Sequence, residues 1–170
     1  MHQINRLLAK FRPRLNKKEV SLLLLLTIAA FAGNYFSVPL FYGVDLIFGS
    51  IAVWLVVLLC GAGWGTLVAL GSSLYTIELW GHPYAAIIFT LEALVVGLMR
   101  RRYKNQNLVM LDGIYWILAM PLSGFLYSNF IEIAQTSVLL IILKQAVNGI
   151  FNAAIATLIA TYFLPLASWL

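Results

Sequence analysis

The stretch Leu91-Glu92-Ala93-Leu94-Val95-Val96-Gly97-Leu98-Met99-Arg100-Arg101-Arg102-Tyr103-Lys104 decides the fold, because an apolar run carrying a single acid ends abruptly in four cations. Short basic segments stay on the cytoplasmic side of a bacterial-type membrane. Six more of the 11 Lys and Arg residues lie between Arg6 and Lys18, so ten of them form two clusters. The eleventh, Lys144, stands alone inside a long apolar run. At membrane depth a cation costs about 2.5 to 3.5 kcal/mol on insertion scales unless something receives it.

Composition agrees with a membrane domain. Of the 170 residues, 62% are hydrophobic and 10% charged, with a mean hydropathy of +0.93, against roughly 45 to 50% and about 25% in soluble domains. That length accommodates about six spans of roughly 20 residues and no soluble catalytic domain. The net charge of +5 comes from the two clusters, which reads as topology and contact with anionic lipid and not as nucleic-acid binding. A single cysteine, Cys60, excludes an intramolecular disulfide and a CxxC metal site.

Working outward from the arginines, spans are expected at about 19–36, 44–60, 65–80, 84–99, 108–127 and 138–164. Gly61-Ala62-Gly63-Trp64-Gly65 reads as a tight turn and Gly81-His82-Pro83 as a break, while Ser128 to Ser137 is a polar outer stretch and Pro165 ends the last span. The expected fold is an all-α, integral membrane six-helix bundle with both termini cytoplasmic, multi-pass in the bacterial inner membrane. Residues 1–18 form a basic arm, 19–165 the six-span domain and 166–170 the start of a cytoplasmic tail. Ile4, Leu7, Leu8, Phe11 and Leu15 at helical spacing fit an arm lying on the membrane surface, and a solvated basic tail fits equally. The leucines at Leu22 to Leu26 before Ala30-Phe31-Ala32 imitate a signal peptide, but the apolar downstream sequence better suits an uncleaved first span. Aromatic residues collect at the outer level: Tyr35, Phe36, Phe41, Tyr42, Trp80, Tyr84, Tyr127 and Phe130. They read as an interfacial belt or as the lining of a pocket open to the outside.

On the last span Lys144, Asn148 and Asn152 share one helical face, with Gln145 and Gly149 beside them. Lipid satisfies none of these groups, so the face looks inward, as glue between helices or as ligand contacts. Glu92, near the middle of the fourth span, and Glu78 are candidate partners for Lys144; Asp45 lies near the outer end of the second. Breaking a buried ion pair costs about 3 to 5 kcal/mol. Asp112, near the cytoplasmic end of the fifth span, is expected to pair with Arg100 to Arg102. His82 reads as a solvated loop histidine that could sense external protons. Asn34 and Tyr35 complete the polar groups that could converge on one cavity. Ala29 with Gly33, and Ala93 with Gly97, have the small-xxx-small spacing of close helix approach. No catalytic motif, metal-ligand cluster or cofactor-binding loop is present, so neither enzyme nor cofactor is expected.

Asn34-Tyr35-Phe36, Phe41 to Ser50, Leu79-Trp80-Gly81-His82-Pro83-Tyr84, Phe89 to Gly97 and Leu143-Lys144-Gln145-Ala146-Val147-Asn148-Gly149-Ile150-Phe151-Asn152 resemble blocks of a known region. It is the N-terminal six-span sensory region of bacterial multidomain signalling proteins, over about residues 20 to 165. That resemblance implies a stimulus read from outside and a PAS, histidine kinase or diguanylate cyclase output, in the same chain or a partner, with homodimerisation inherited from such outputs. The chain stops at Trp169-Leu170, so an output domain is either cut away or supplied by a partner. The architecture is also similar to the substrate-binding subunits of energy-coupling-factor vitamin transporters. Both resemblances imply a small ligand bound near Glu92, Lys144 and Asn148.

Overall fold

The structure, a computed structural model, describes residues 15–41, 44–131 and 134–163. Most of the basic arm, Tyr42, the pair Glu132 and Ile133, and the tail with Pro165 lie outside the described residues. The order is α1 (Lys17–Tyr35), β1 (Val38–Phe41), β2 (Val44–Leu46), α2 (Gly49–Cys60), α3 (Ala62–Ser73), α4 (Tyr75–Trp80), α5 (Tyr84–Arg102), α6 (Leu108–Phe130) and α7 (Gln135–Tyr162). The all-α expectation holds, with one short antiparallel hairpin added, β1 against β2, in which Val38 faces Leu46 and Pro39 faces Asp45.

Local chemistry explains the element ends. At the start of α1, Asn16 accepts from the Glu19 amide at 2.9 Å and its own amide donates to the Glu19 carboxylate at 2.7 Å. This reciprocal box satisfies two of the donors a helix start leaves free. Gly61, at φ +92°, lets α2 reverse into α3 through one residue, a backbone state that side chains resist. The expected third span therefore starts earlier, at Ala62, and is interrupted at Leu74. Asn107 caps α6 through Val109. That helix runs on through Ser128 to Phe130, and α7 begins at Gln135, which shortens the expected outer loop.

The largest departure is the second span. Val44 to Leu46 pair as a strand, and the helix begins only at Gly49. Twelve residues of α2 rise about 18 Å, short of a hydrocarbon core of about 30 Å. By length and composition α1, α6 and α7 are long and apolar enough to cross a membrane, and α2 is apolar but shorter. Apolar on every side, α2 packs among α1, α3 and α7 with Trp54 and Val56 fully buried, as such a helix must. By contrast α1 leaves Leu24, Leu25 and Ile28 exposed, the outward face expected of a peripheral helix in lipid.

Contacts define two ends. Asp45 meets Trp80 and His82 meets Tyr127, so the hairpin, the α4–α5 turn and the end of α6 lie together. At the other end Gly97 on α5 packs on Ala62 and Gly65 on Val57, and the basic residues that begin α1 and end α5 sit there. The glycines of both small-residue pairs sit at close approaches, a Cβ on Gly33 coming within 2.8 Å of the Gly49 amide nitrogen, but only Ala93 joins its glycine in the interior, Ala29 being exposed.

Candidate functional site

The polar face of α7 divides in two. In its lower half, Asn148 and Asn152 are turned onto the backbone of Ile47, between the hairpin and α2. The Ile47 amide donates to Asn148 Oδ1 at 2.9 Å, and its carbonyl accepts from Asn148 Nδ2 at 2.7 Å and Asn152 Nδ2 at 2.9 Å. Asn34 works in the same way from α1, accepting from the Gly49 amide at 3.1 Å and donating to the Ser72 carbonyl at 2.9 Å. Phe48 donates to the Gly33 carbonyl at 2.8 Å. Irregular backbone at membrane depth is tolerated only where protein groups satisfy it. Three asparagines do that here, and it is the late start of α2 that requires them.

The upper half is different. Lys144 Nζ lies 4.5 Å from the centre of the Trp80 ring, a cation–π arrangement. The Trp80 indole in turn donates to Asp45 Oδ2 at 3.2 Å, and Asp45 is near enough to act on Lys144 electrostatically. Among the described residues no ion pair joins Lys144 to Glu92 or Glu78; the expected pairing is replaced by an aromatic face. Next to it, Gln145 is fully buried and donates to the Tyr127 hydroxyl at 2.9 Å, while its Oε1 accepts no hydrogen bond.

Tyr127 carries the next layer. His82 stacks on Tyr84 at 5.4 Å and meets Tyr127 edge-on at 5.0 Å, and Tyr84 touches Phe130 at 6.1 Å. His82 is therefore not a freely solvated loop residue. It is half-buried, its Nδ1 has no partner, and burial pushes the imidazole below its ordinary pKa. Lys144 with Trp80 and Asp45, and Gln145 with Tyr127 and His82, thus form two polar and aromatic groups at the hairpin end, adjoining through neighbouring chain positions and with bonding capacity to spare.

A second centre lies deeper. Glu92, fully buried on α5, accepts from Trp116 Nε1 at 2.8 Å. Gly149 of α7 is the seat for this bond, because a Cβ there would collide with both the indole nitrogen and the carboxylate. Glu92 also lines a cavity of about 10 Å3, of the order of one water molecule, with Asn34, Ser50, Ser72 and Ser73. Asp112 corrects its expectation: it is fully buried, one turn from Trp116 on the face of α6 that meets Glu92, and neither of its oxygens has a hydrogen-bond partner. Arg100 instead bonds the carbonyls of Lys104 and Gln106.

The sequence-derived residues do not all meet in one place. Lys144, Gln145 and Asp45 lie at the hairpin end, Glu92 belongs to the deeper centre, and Asn34, Asn148 and Asn152 hold backbone. Glu78 is exposed, and Tyr35, 62% exposed, contacts Phe36 and Tyr75. The sequence leaves Trp80 between an interfacial belt and a pocket lining and gives Trp116 no role. The available signal for Trp116 was its position four residues after Asp112 on one face of an apolar helix.

A family model described as "5TMR of 5TMR-LYT" matches residues 2–167. No curated protein sequence matches the chain. Among solved structures, the S component of a bacterial ECF transporter is similar at a TM-score of 0.60 and 19% identity, over 89% of this chain and 96% of that one.

Proposed function

Because the chain belongs to the 5TMR of 5TMR-LYT family, the five-span receptor domain of LytS-type histidine kinases, we propose that it is a sensory input module taking a small polar ligand at its hairpin end. The observation that carries this reading is the state of Lys144. Its ammonium group rests on the Trp80 ring, so its three N–H donors are not consumed by a carboxylate. The next residue, Gln145, keeps an unspent acceptor in Oε1. A ligand carrying both an acceptor and a donor would use the two together. Asn148 and Asn152, bonded to Ile47, position the site without touching the ligand.

In this reading the hairpin end faces outward and the basic end faces the cytoplasm, in the bacterial inner membrane, as the positive-inside rule directs. The helical passes are then six, α1, α2, α3 with α4, α5, α6 and α7, one more than the family's description gives, with the hairpin completing the short α2 pass and both termini cytoplasmic. The ligand shifts the bundle between two packings to the extent that it binds them unequally, about 1.4 kcal/mol for a tenfold change in ratio. A PAS, kinase or cyclase domain, in the same chain or as a partner, and in a homodimer, receives the change. The module itself is non-catalytic.

The second reading, a substrate-binding subunit of a small-metabolite transporter, draws support from the fold shared with an ECF S component. One experiment separates the two. Cells expressing the full chain or Lys144→Met are assayed for kinase or cyclase output and for ATP-dependent metabolite uptake. Loss of output in the variant, with uptake absent throughout, supports the sensor. Lysine-dependent uptake supports the transporter, and no effect of the substitution on either removes Lys144 from the site.

A further inference from the structure

Glu92 and Asp112 present a chemical contradiction that one proton resolves. Both are fully buried, on α5 and α6. Asp112 stands one turn from Trp116 on the same face of α6, and the Trp116 indole bonds Glu92 at 2.8 Å, so the two carboxyls are neighbours. Glu92 has a donor, the Trp116 indole at 2.8 Å. Neither Asp112 oxygen accepts a hydrogen bond from any donor among the described residues. Two ionised carboxylates are acceptors only and would repel as buried neighbours.

No cation is supplied to relieve them. α2 and α3 contain no Asp, Glu, Lys, Arg or His at all, and Lys144, the single basic residue of α7, lies at Trp80. On α6, Tyr115 spends its hydroxyl on the Ile88 carbonyl at 2.7 Å. The arginines of α5 begin about 12 Å further along the helix axis. Among the described residues no group of three or more ligating side chains could hold a metal ion. Gly149 closes the site against Glu92 and Trp116, and the adjoining cavity is of about 10 Å3, too small for a hydrated cation.

We propose that Glu92 and Asp112 form a proton-binding site in the centre of the bundle, in which Asp112 carries the proton and donates it to the Glu92 carboxylate. With the proton on Asp112 the anionic Glu92 holds two donors, the Trp116 indole and Asp112, whereas with the proton on Glu92 the anionic Asp112 would hold only one. Protonation turns Asp112 from an orphan acceptor into the donor the pair lacks. Loss of that proton leaves two carboxylates with one donor between α5 and α6, so the contact between these helices is conditional on its occupancy. The site is independent of the ligand centre around Lys144.

Infrared spectroscopy of the full chain in lipid bilayers tests this directly. The sequence has two aspartates, Asp45 and Asp112, so a 13C label on the aspartate side-chain carboxyl reports on those alone. At neutral pH the wild type is expected to show a protonated-carboxyl band shifted by the label, absent in Asp112→Asn and retained in Asp45→Asn. Absence of a label-sensitive band in the wild type, or its loss in Asp45→Asn alone, overturns the proposal. The wild-type measurement needs no substitution, so a variant that fails to fold leaves the test standing.

Discussion

Two halves of one helix face, one turn apart, are built from similar side chains and end up in opposite conditions. Asn148 and Asn152 face a backbone segment without a regular partner, and Ile47 takes three of their hydrogen bonds. Lys144 and Gln145 face side chains, an indole and a phenol, and keep donors and an acceptor unspent. Helical spacing marks both halves as inward and polar. What lies opposite decides which half is scaffold and which half is free to bind.

The sharpest way to break that contrast is to remove the scaffold half. Asn148→Ala combined with Asn152→Ala leaves the amide and carbonyl of Ile47 buried and unpaired, and each such group costs about 1 to 3 kcal/mol. Thermal unfolding in detergent is expected to show a loss of roughly 2 to 5 kcal/mol, the largest effect of the set. Gly149→Ala comes next, at about 1 to 3 kcal/mol, because the added methyl meets Trp116 and Glu92. A change in tryptophan fluorescence should accompany it.

Lys144→Met sharpens the contrast from the other side. A cation–π contact is worth about 0.5 to 2 kcal/mol, and methionine restores apolar contact, so stability should change by less than about 1 kcal/mol while the response to ligand disappears. A stability loss as large as that of the double asparagine variant would place Lys144 in the scaffold. The smallest effect belongs to His82. Burial disfavours its imidazolium form, so the unfolded chain binds the proton more readily than the folded one. Stability is then constant above about pH 6.5, the ordinary histidine value, and declines as the pH falls below it toward the lower folded value. His82→Phe should flatten that slope in a melting-temperature series from neutral to mildly acid pH.

The membrane class, the places where the chain reverses and the inward face of α7 were legible from the apolar runs, the basic clusters and the spacing of Lys144, Asn148 and Asn152. The close approaches at Gly33 and Gly97 were legible too. The start of α2 was not. From Val44 to Cys60 the chain is apolar with no decisive period, and a strand joined to a helix within such a run looks the same as one continuous span. Without that break the task of Asn148 and Asn152 had no visible cause. Asp112 was misplaced because its nearness in sequence to arginines outweighed the face it shares with Trp116, a relation that needs the three-dimensional partner, Glu92, to acquire meaning.

The grip of α7 on Ile47 has a mechanical meaning. From Gln135 to the clamp at about residue 150 is roughly 22 Å of helix axis, and from there to Tyr162 roughly 18 Å. The clamp is thus a fulcrum near the midpoint of a stiff rod. Any tilt of that rod about Ile47 swings its two ends in opposite directions by comparable amounts. A push of one ångström where Lys144 meets Trp80, about 9 Å from the fulcrum, would reappear reversed and about doubled where the helix leaves the bundle.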